Sequence, residues 1–172
     1  MVAAAATIVL LLPHTAMSVT LPEEVIAERD LTTHISAVAA AIKEAEGRCA
    51  KGQSGESGCY QYLPATWRQY SIEATGEVLP HTAENEDTVT EGMVRKWLAL
   101  GKSERWIFLT WNQGNGDGWG PGAKDCYAGT NKWGVAYDSC DYARRATASL
   151  ARIEAPERLP DQTAGPTSKV VP

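Results

Sequence analysis

The first strong apolar periodicity in the chain lies between residues 32 and 46. Its apolar positions follow the helical spacing i, i+3 and i+7, at Ile35, Val38 and Ile42. A threonine hydroxyl can cap the first turn of a helix, and two threonines stand just before these positions. The pattern therefore predicts a helix that begins near Thr32 or Thr33 and buries one face.

The end of this predicted helix carries two glutamates on different faces. At about 100° per residue, Glu46 lies four positions past Ile42 and hence close to the apolar stripe. Glu44 lies two positions past Ile42 and is predicted to face solvent. Gly47 suits the position just after a helix C-terminus. We expect Glu46 alone to face the interior.

Four more helices follow from start and stop signals. A proline is favourable in a first helical turn, so Pro64 is predicted to open the second helix. Residues 71–85 are turn-rich and predicted to be a loop. Thr88 and Glu91 have capping-box spacing for a helix that Gly101 closes, and Ser103 is predicted to cap the next, which ends at Asn112–Gly114. The last helix is expected from Ser139.

The chain is thus predicted to be mainly α, with a Gly-rich, irregular segment at residues 114–134. We divide it into a signal segment at 1–18, a lead-in at 19–31, a helical domain at 32–155 and a flexible tail at 156–172, which is rich in Pro, Thr and Ser.

The N-terminal segment is predicted to direct export. Residues 2–12 are almost wholly apolar but shorter than the roughly 20 residues of a membrane-spanning helix. Small residues suited to signal-peptidase cleavage follow at Ala16 and Ser18. No Lys or Arg precedes the apolar run, so a buried N-terminal segment is the alternative. We expect a periplasmic or extracellular protein.

The cysteines favour the same compartment. Four are present, in two local pairs, Cys49 with Cys59 and Cys126 with Cys140. An even number in an exported chain predicts disulfides. A zinc site is the alternative, but the chain has no Cys-x-x-Cys and no closely spaced His. We expect no metal and no cofactor.

Composition narrows the possible partners. The chain has 172 residues and a formal net charge of -5, which argues against nucleic acid as a partner. Six Trp and six Tyr stand against a single Phe. Such side chains suit stacking on sugar rings, although ordinary core packing is the alternative. The chain is expected to be a monomer.

Glu46 is the candidate catalytic group. A carboxyl on the buried side of a helix end is desolvated, which raises its pKa toward the value that a general acid requires near neutral pH. The alternative is a glutamate that only decorates the helix end. Glu44 and Glu56 are interpreted as solvated surface charges, and no acidic partner is predicted beside Glu46.

Four segments, in order, resemble the soluble lytic transglycosylases. Residues 39–46, Ala-Ala-Ala-Ile-Lys-Glu-Ala-Glu, resemble the family's catalytic helix, which ends in the acid. Residues 55–66, Gly-Glu-Ser-Gly-Cys-Tyr-Gln-Tyr-Leu-Pro-Ala-Thr, resemble its signature Gly-x-Ser-Gly-Leu-Met-Gln-x-Met-Pro-x-Thr. Residues 109–114, Leu-Thr-Trp-Asn-Gln-Gly, resemble its Ala-Ala-Tyr-Asn-Ala-Gly segment. Residues 131–138 with Tyr142 are similar to the closing segment of small members.

The resemblance implies a lysozyme-like fold and a reaction on peptidoglycan. Members cleave the β-1,4 bond between N-acetylmuramic acid and N-acetylglucosamine with a single glutamate, here Glu46, and form 1,6-anhydromuramic ends. The substrate-binding residues that the resemblance implies are Gln61, Leu63, Trp111, Asn112 and Tyr142. A hydrolytic muramidase and a non-catalytic glycan-binding module are the alternatives.

The sequence departs from the family's pattern beside the acid and in the signature. Gly47 stands where a Ser usually follows the acid, and Tyr60 and Leu63 replace the two signature methionines. These changes bear on the sugar subsites and on the product rather than on the acid. A phosphate loop at residues 114–120 is not expected because a helix, not a strand, precedes it. A calcium loop is not expected because its twelfth position is Ala123.

Overall fold

The computed structural model describes the backbone of residues 6–12, 15–21, 23–114, 125–131 and 134–155, and side chains from residue 27 onward within these ranges. Two strands come first, β1 (Ala6–Leu12) and β2 (Thr15–Leu21). They pair antiparallel, with Ala6 opposite Leu21 and Leu12 opposite Thr15. The predicted signal segment overlaps this hairpin, and its cleavage stays a prediction.

Five helices are present among the described residues. They are α1 (Glu23–Glu46), α2 (Pro64–Thr75), α3 (Ala83–Ala99), α4 (Glu104–Gln113) and α5 (Ser139–Glu154). A short antiparallel pair, β3 (Ala128–Thr130) and β4 (Ala136–Asp138), lies between α4 and α5. The protein is mainly helical, as predicted, but the Gly-rich segment contains β3, which the sequence pattern did not predict.

The core forms where the helices meet. Helix α1 packs against α5 and α3, α2 packs against α3, and α4 packs against α5. The stripe predicted on α1 is fully buried, and apolar side chains of the other helices meet it: Val89, Met93, Val94, Ile107, Phe108, Leu109, Ala143 and Ala146. Burial of these side chains is the main stabilising term of the domain.

Three of the predicted helix starts are confirmed. Helix α2 begins at Pro64, α5 begins at Ser139, and the Ser103 side chain caps α4 by accepting a hydrogen bond from the Trp106 N–H at 3.3 Å. Helix α4 ends at Gln113, as predicted. These boundaries rest on local signals that the neighbouring chain does not override.

Two predicted starts were wrong for the same reason. Helix α1 begins at Glu23 rather than at Thr32 or Thr33, and α3 begins at Ala83 rather than at Thr88. Thr33 Oγ1 donates to the Arg29 carbonyl at 3.0 Å, and Thr88 Oγ1 donates to the Glu84 carbonyl at 3.2 Å. These threonines lie inside their helices and bond one turn back instead of capping. The lead-in at 19–31 is therefore helical from Glu23 onward, whereas the predicted loop at 71–85 is helical at both ends and a loop only at residues 76–82.

Both predicted cysteine pairs are disulfides, Cys49–Cys59 and Cys126–Cys140. Each of the four sulfurs is bonded to its disulfide partner, so none of them is a free thiol that could bind zinc. Two disulfides indicate an oxidising, exported environment. Within the described part of the chain, no helix combines the length and apolarity that crossing a bilayer requires. The predicted tail at 156–172 lies wholly outside the described residues, which end at residue 155.

Candidate active site

A cavity of about 960 Å³ opens beside the end of α1. Its walls come from the loop between α1 and α2, the first turns of α2, the last turn of α4 and the β3–β4 hairpin. Predicted site residues on its lining are Glu46, Gln61, Leu63, Trp111 and Asn112. The fold therefore brings together five residues that lie up to 66 positions apart in the chain.

The carboxyl of Glu46 is half-buried at the last residue of α1. The Tyr142 hydroxyl donates a hydrogen bond to Glu46 Oε1 at 3.0 Å. Burial raises the pKa of Glu46 from 4.5 to about 7; the Tyr142 hydrogen bond and the charge of Arg145 oppose this rise, and the charge of Glu56 adds to it. Glu46 can therefore hold its proton near neutral pH and release it there, as acid/base catalysis requires.

Glu44 lies on the other face of the same helical turn. Its carboxylate is exposed and contacts the Arg152 guanidinium and the Ser149 hydroxyl of α5. Glu44 is not among the described residues that line the cavity. The helix-face prediction that separated Glu46 from Glu44 is confirmed.

Gln61 lines the cavity, but its amide nitrogen holds the surrounding loop. Its Nε2 donates to the carbonyls of Ala50 at 2.7 Å and Gly58 at 2.6 Å, with a longer contact to Arg48 at 3.3 Å. Its backbone has φ of 52°, in the left-handed region that few non-glycine residues occupy. Because these bonds close the loop on itself, the backbone conformation at Gln61 is determined by its surroundings. Only the rest of the Gln61 side chain is available to a ligand.

A buried carboxylate attaches this loop to α3. Glu86 is 3% exposed and accepts a hydrogen bond from the Cys59 N–H at 2.8 Å. Its other oxygen lies 2.7 Å from His81 Nε2, and the His81 ring stacks on Trp67 at 4.2 Å. A Cβ at Gly58 would lie 1.6 Å from the Glu86 carboxyl, so only glycine fits there. Glu86 was not predicted as a site residue because α3 was expected to begin later, at Thr88.

The last turn of α4 forms the opposite wall. Trp111 is half-buried, and its indole N–H donates to the Tyr60 carbonyl at 3.2 Å. Three buried polar atoms of this turn, on Thr110, Asn112 and Gln113, have no hydrogen-bond partner among the described residues. All three residues line the cavity. Unpaired buried polar groups are rare in folded proteins, so this wall suits a polar ligand or ordered water.

Of the two remaining predicted substrate-binding residues, Leu63 lines the cavity and Tyr142 lies behind Glu46. Leu63 is half-buried on the cavity lining, just before the first turn of α2. Tyr142 is buried and does not belong to the described lining. Its hydroxyl contacts Glu46 instead, so its position suits control of the acid more than contact with a substrate.

The aromatic side chains divide between packing and cavity. Tyr62, Trp67, Tyr70 and Trp97 are all less than 8% exposed, and their rings contact one another, as with Tyr62 and Trp67 at 5.2 Å. Core packing therefore explains much of the Trp and Tyr content. Tyr62 and Tyr70 of this packed group also line the cavity, and Trp111, Tyr127 and Tyr137 line it while staying at least partly exposed.

Glu56 was interpreted from the sequence as a solvated surface charge, and that interpretation was wrong. The side chain is half-buried and lines the same cavity as Glu46. Its charge contributes to the raised pKa of Glu46, so the two groups interact. Helical periodicity contained no signal for this proximity because Glu56 lies in the loop.

No protein-family model matches the chain, and no curated protein or solved structure shows a significant similarity to it. Among the described residues, no group of three or more His, Cys, Asp or Glu side chains has the arrangement of a metal site. Most of the segment considered for a phosphate or calcium loop, residues 115–124, lies outside the described residues.

Proposed function

We propose that this protein is an exported lytic transglycosylase that cleaves the β-1,4 bond between N-acetylmuramic acid and N-acetylglucosamine in peptidoglycan. The observation that carries the proposal is the half-buried carboxyl of Glu46, which has a pKa of about 7 and lines a cavity large enough for sugar rings. The order of segments around Glu46, Gln61 and Asn112, and their convergence on one cavity, support the lysozyme-like assignment.

The proposed reaction needs one proton carrier. Protonated Glu46 donates its proton to the glycosidic oxygen as the bond from that oxygen to C1 of the muramic ring breaks. The resulting carboxylate then accepts the proton of the muramic 6-hydroxyl, whose oxygen bonds to C1. The product has a 1,6-anhydro end, and Glu46 is again protonated. The proposed site of action is the periplasm or the cell exterior.

A hydrolytic muramidase is the second candidate, and the position of Glu56 favours it. Most glycosidases use two carboxyl groups, one to protonate the leaving group and one to act on the opposite side of the sugar. In this reaction water replaces the 6-hydroxyl at C1. The product then has a reducing end heavier than the anhydro end by the mass of one water.

One digest tests the proposal and separates the candidates. Purified sacculi are incubated with the wild type, Glu46→Gln and Glu44→Gln, and the released muropeptides are analysed by mass. We expect Glu46→Gln to lose activity by a factor on the order of 10³, because an amide cannot donate the proton. Glu44→Gln should cleave like the wild type.

Each outcome has a clear meaning. Anhydro ends support the transglycosylase, whereas reducing ends support the muramidase. Binding to sacculi without cleavage by folded wild type would reject the enzyme and favour a glycan-binding module. Loss of activity in Glu44→Gln but not in Glu46→Gln would contradict the assignment of the acid.

A further inference from the structure

The Glu56 carboxylate is held at the cavity by the backbone around it. The Glu56 Oε2 atom accepts a hydrogen bond from the Ser54 N–H at 2.9 Å. The backbone carbonyl of Glu56 accepts a second hydrogen bond from the Gly52 N–H at 2.8 Å. The Ser54 hydroxyl in turn accepts a hydrogen bond from Asn131 Nδ2 at 3.0 Å, which joins the loop to the β3–β4 side of the cavity. These contacts fix the side chain without neutralising its charge.

A close approach at Gly52 further restricts this carboxylate. A Cβ at Gly52 would lie 2.3 Å from Glu56 Oε2 and 2.7 Å from Gln61 Oε1. Both side chains therefore pack directly over the glycine backbone, and any larger residue would displace them. The Cys49–Cys59 disulfide closes the same loop. An ordinary surface glutamate has no such arrangement around it.

The two carboxyl groups of the cavity differ in their surroundings. Glu46 is packed against Tyr142 at the end of α1, whereas Glu56 lies on a polar loop with a backbone N–H donor. Two carboxyl groups in different environments are suited to different tasks, one protonated and one charged. A fixed negative charge held close to a reacting carbon can stabilise positive charge that develops on it during a reaction.

We propose that Glu56 is a second catalytic carboxylate, whose negative charge stabilises the positive charge that develops on the glycosyl carbon while Glu46 protonates the leaving oxygen. The inference rests on the proposed glycosidase function and adds a residue to it. As the C1–O bond breaks, its electron pair goes to the leaving oxygen, which takes the Glu46 proton, and C1 becomes electron-deficient. Glu56 neither gains nor loses a proton in this step.

Glu56→Gln tests the charge while keeping the loop. The glutamine oxygen can still accept the Ser54 N–H, and the side-chain volume is nearly unchanged. On sacculi we expect kcat to fall on the order of 100-fold and KM to change less than about threefold. Glu77→Gln, which removes an exposed carboxylate after α2, should have wild-type kinetics.

The pH dependence of glycan cleavage gives a second readout, which would not change if Glu56 had only a structural role. The charged or ionisable groups that act on Glu46 are Tyr142 and Arg145 from α5 and Glu56 from the loop. The other ionisable side chains on the described cavity lining are Arg48, Tyr60, Tyr62, Tyr70, Tyr127 and Tyr137. Glu56→Gln removes one negative charge and leaves the other groups in place. Because the Glu56 charge raises the pKa of Glu46, its removal should lower that pKa. The pH above which activity declines should therefore move down.

Glu56→Asp keeps the charge and should recover part of the lost rate. Wild-type kcat and an unmoved pH profile in folded Glu56→Gln would overturn the inference while leaving the proposed function intact. Equal losses in Glu56→Gln and Glu56→Asp would also overturn it, since loop geometry rather than charge would then matter. No glycan cleavage by folded wild type would reject the proposed function and this inference together.

Discussion

The last turn of α1 has two faces, and each presents a glutamate to a different environment. Glu44 faces outward and forms an exposed ion pair with Arg152. Glu46, two residues later, is half-buried, accepts a hydrogen bond from Tyr142 and has a pKa of about 7. The same residue type, on the same helix, is thus a surface charge in one position and a candidate acid in the other.

The difference teaches that packing around a carboxyl, rather than its presence, makes it chemically useful. Both groups sit near a helix C-terminus, where the helix dipole disfavours an anion. Only Glu46 is also desolvated, and burial is the largest cause of its raised pKa. This burial lowers stability, because a buried carboxyl resists ionisation.

The largest expected effect on stability is on Glu46 itself. Its pKa is about 7 in the folded protein, against 4.5 for a fully solvated glutamate, so the folded state holds the proton more tightly. The contribution of protonated Glu46 to the free energy of unfolding is fully present below about pH 4.5. As pH rises from there through 7, the free energy of unfolding falls by about 3 kcal/mol. Glu46→Gln should lack this loss.

Urea unfolding of the wild type and Glu46→Gln at about pH 4.5, 6 and 8 measures this difference. The free energy of unfolding of the variant, relative to that of the wild type, should increase as pH rises. Parallel pH dependences would show that Glu46 is not desolvated, and the contrast with Glu44 would disappear.

An intermediate effect is expected from Tyr142→Phe. The lost hydrogen bond should cost about 1–2 kcal/mol at a pH where Glu46 is ionised. Because the Tyr142 hydroxyl lowers the pKa of Glu46, its removal should raise that pKa further and move the decline of cleavage activity to higher pH.

Tyr62→Phe is the matched control for this variant. The Tyr62 hydroxyl is paired with the buried Thr90 hydroxyl at 2.7 Å rather than with the acid, although the residue lines the same cavity. Tyr62→Phe should lose similar stability without moving the pH profile. An equal pH shift in both variants would contradict a specific role for Tyr142.

The smallest effect is expected from Glu44→Gln. Exposed ion pairs contribute less than about 1 kcal/mol, because water screens the charges and the long side chains lose entropy. We expect a small decrease in the thermal unfolding midpoint and a cleavage rate within about twofold of the wild type. A large loss of stability would mean that the two faces of the turn are less different than their exposure suggests.

Local signals predicted much of the helical framework. Pro64 and Ser103 mark helix starts correctly, since capping and proline effects act within one turn. Helix α5 begins at Ser139 as predicted, but its cap is Asp138, which accepts from the Asp141 N–H. Both disulfide pairs followed from even cysteine count and short spacing. Thr33 and Thr88 were misleading signals because a threonine hydroxyl bonds a carbonyl one turn back as readily as it caps.

The candidate site was only partly predictable. Periodicity separated Glu46 from Glu44, because both lie on one regular helix. It could not place Glu56, because a loop conformation depends on distant contacts. Nor could it show that Glu86, on α3, would bind the N–H of the distant Cys59. It also could not show that the Gln61 amide would be used to close its own loop.

The sequence by itself determined which residue ends α1 with its carboxyl toward the core, which cysteines pair, and where three helices begin. These properties depend on helical periodicity and on contacts within a few residues. The burial of Glu46 beside Tyr142 and the position of Glu56 on the same cavity depend on the packed helices and loop, and no local signal predicts them. Burial and charge interaction between residues far apart in the chain arise only when α1, α5 and the disulfide loop are packed together.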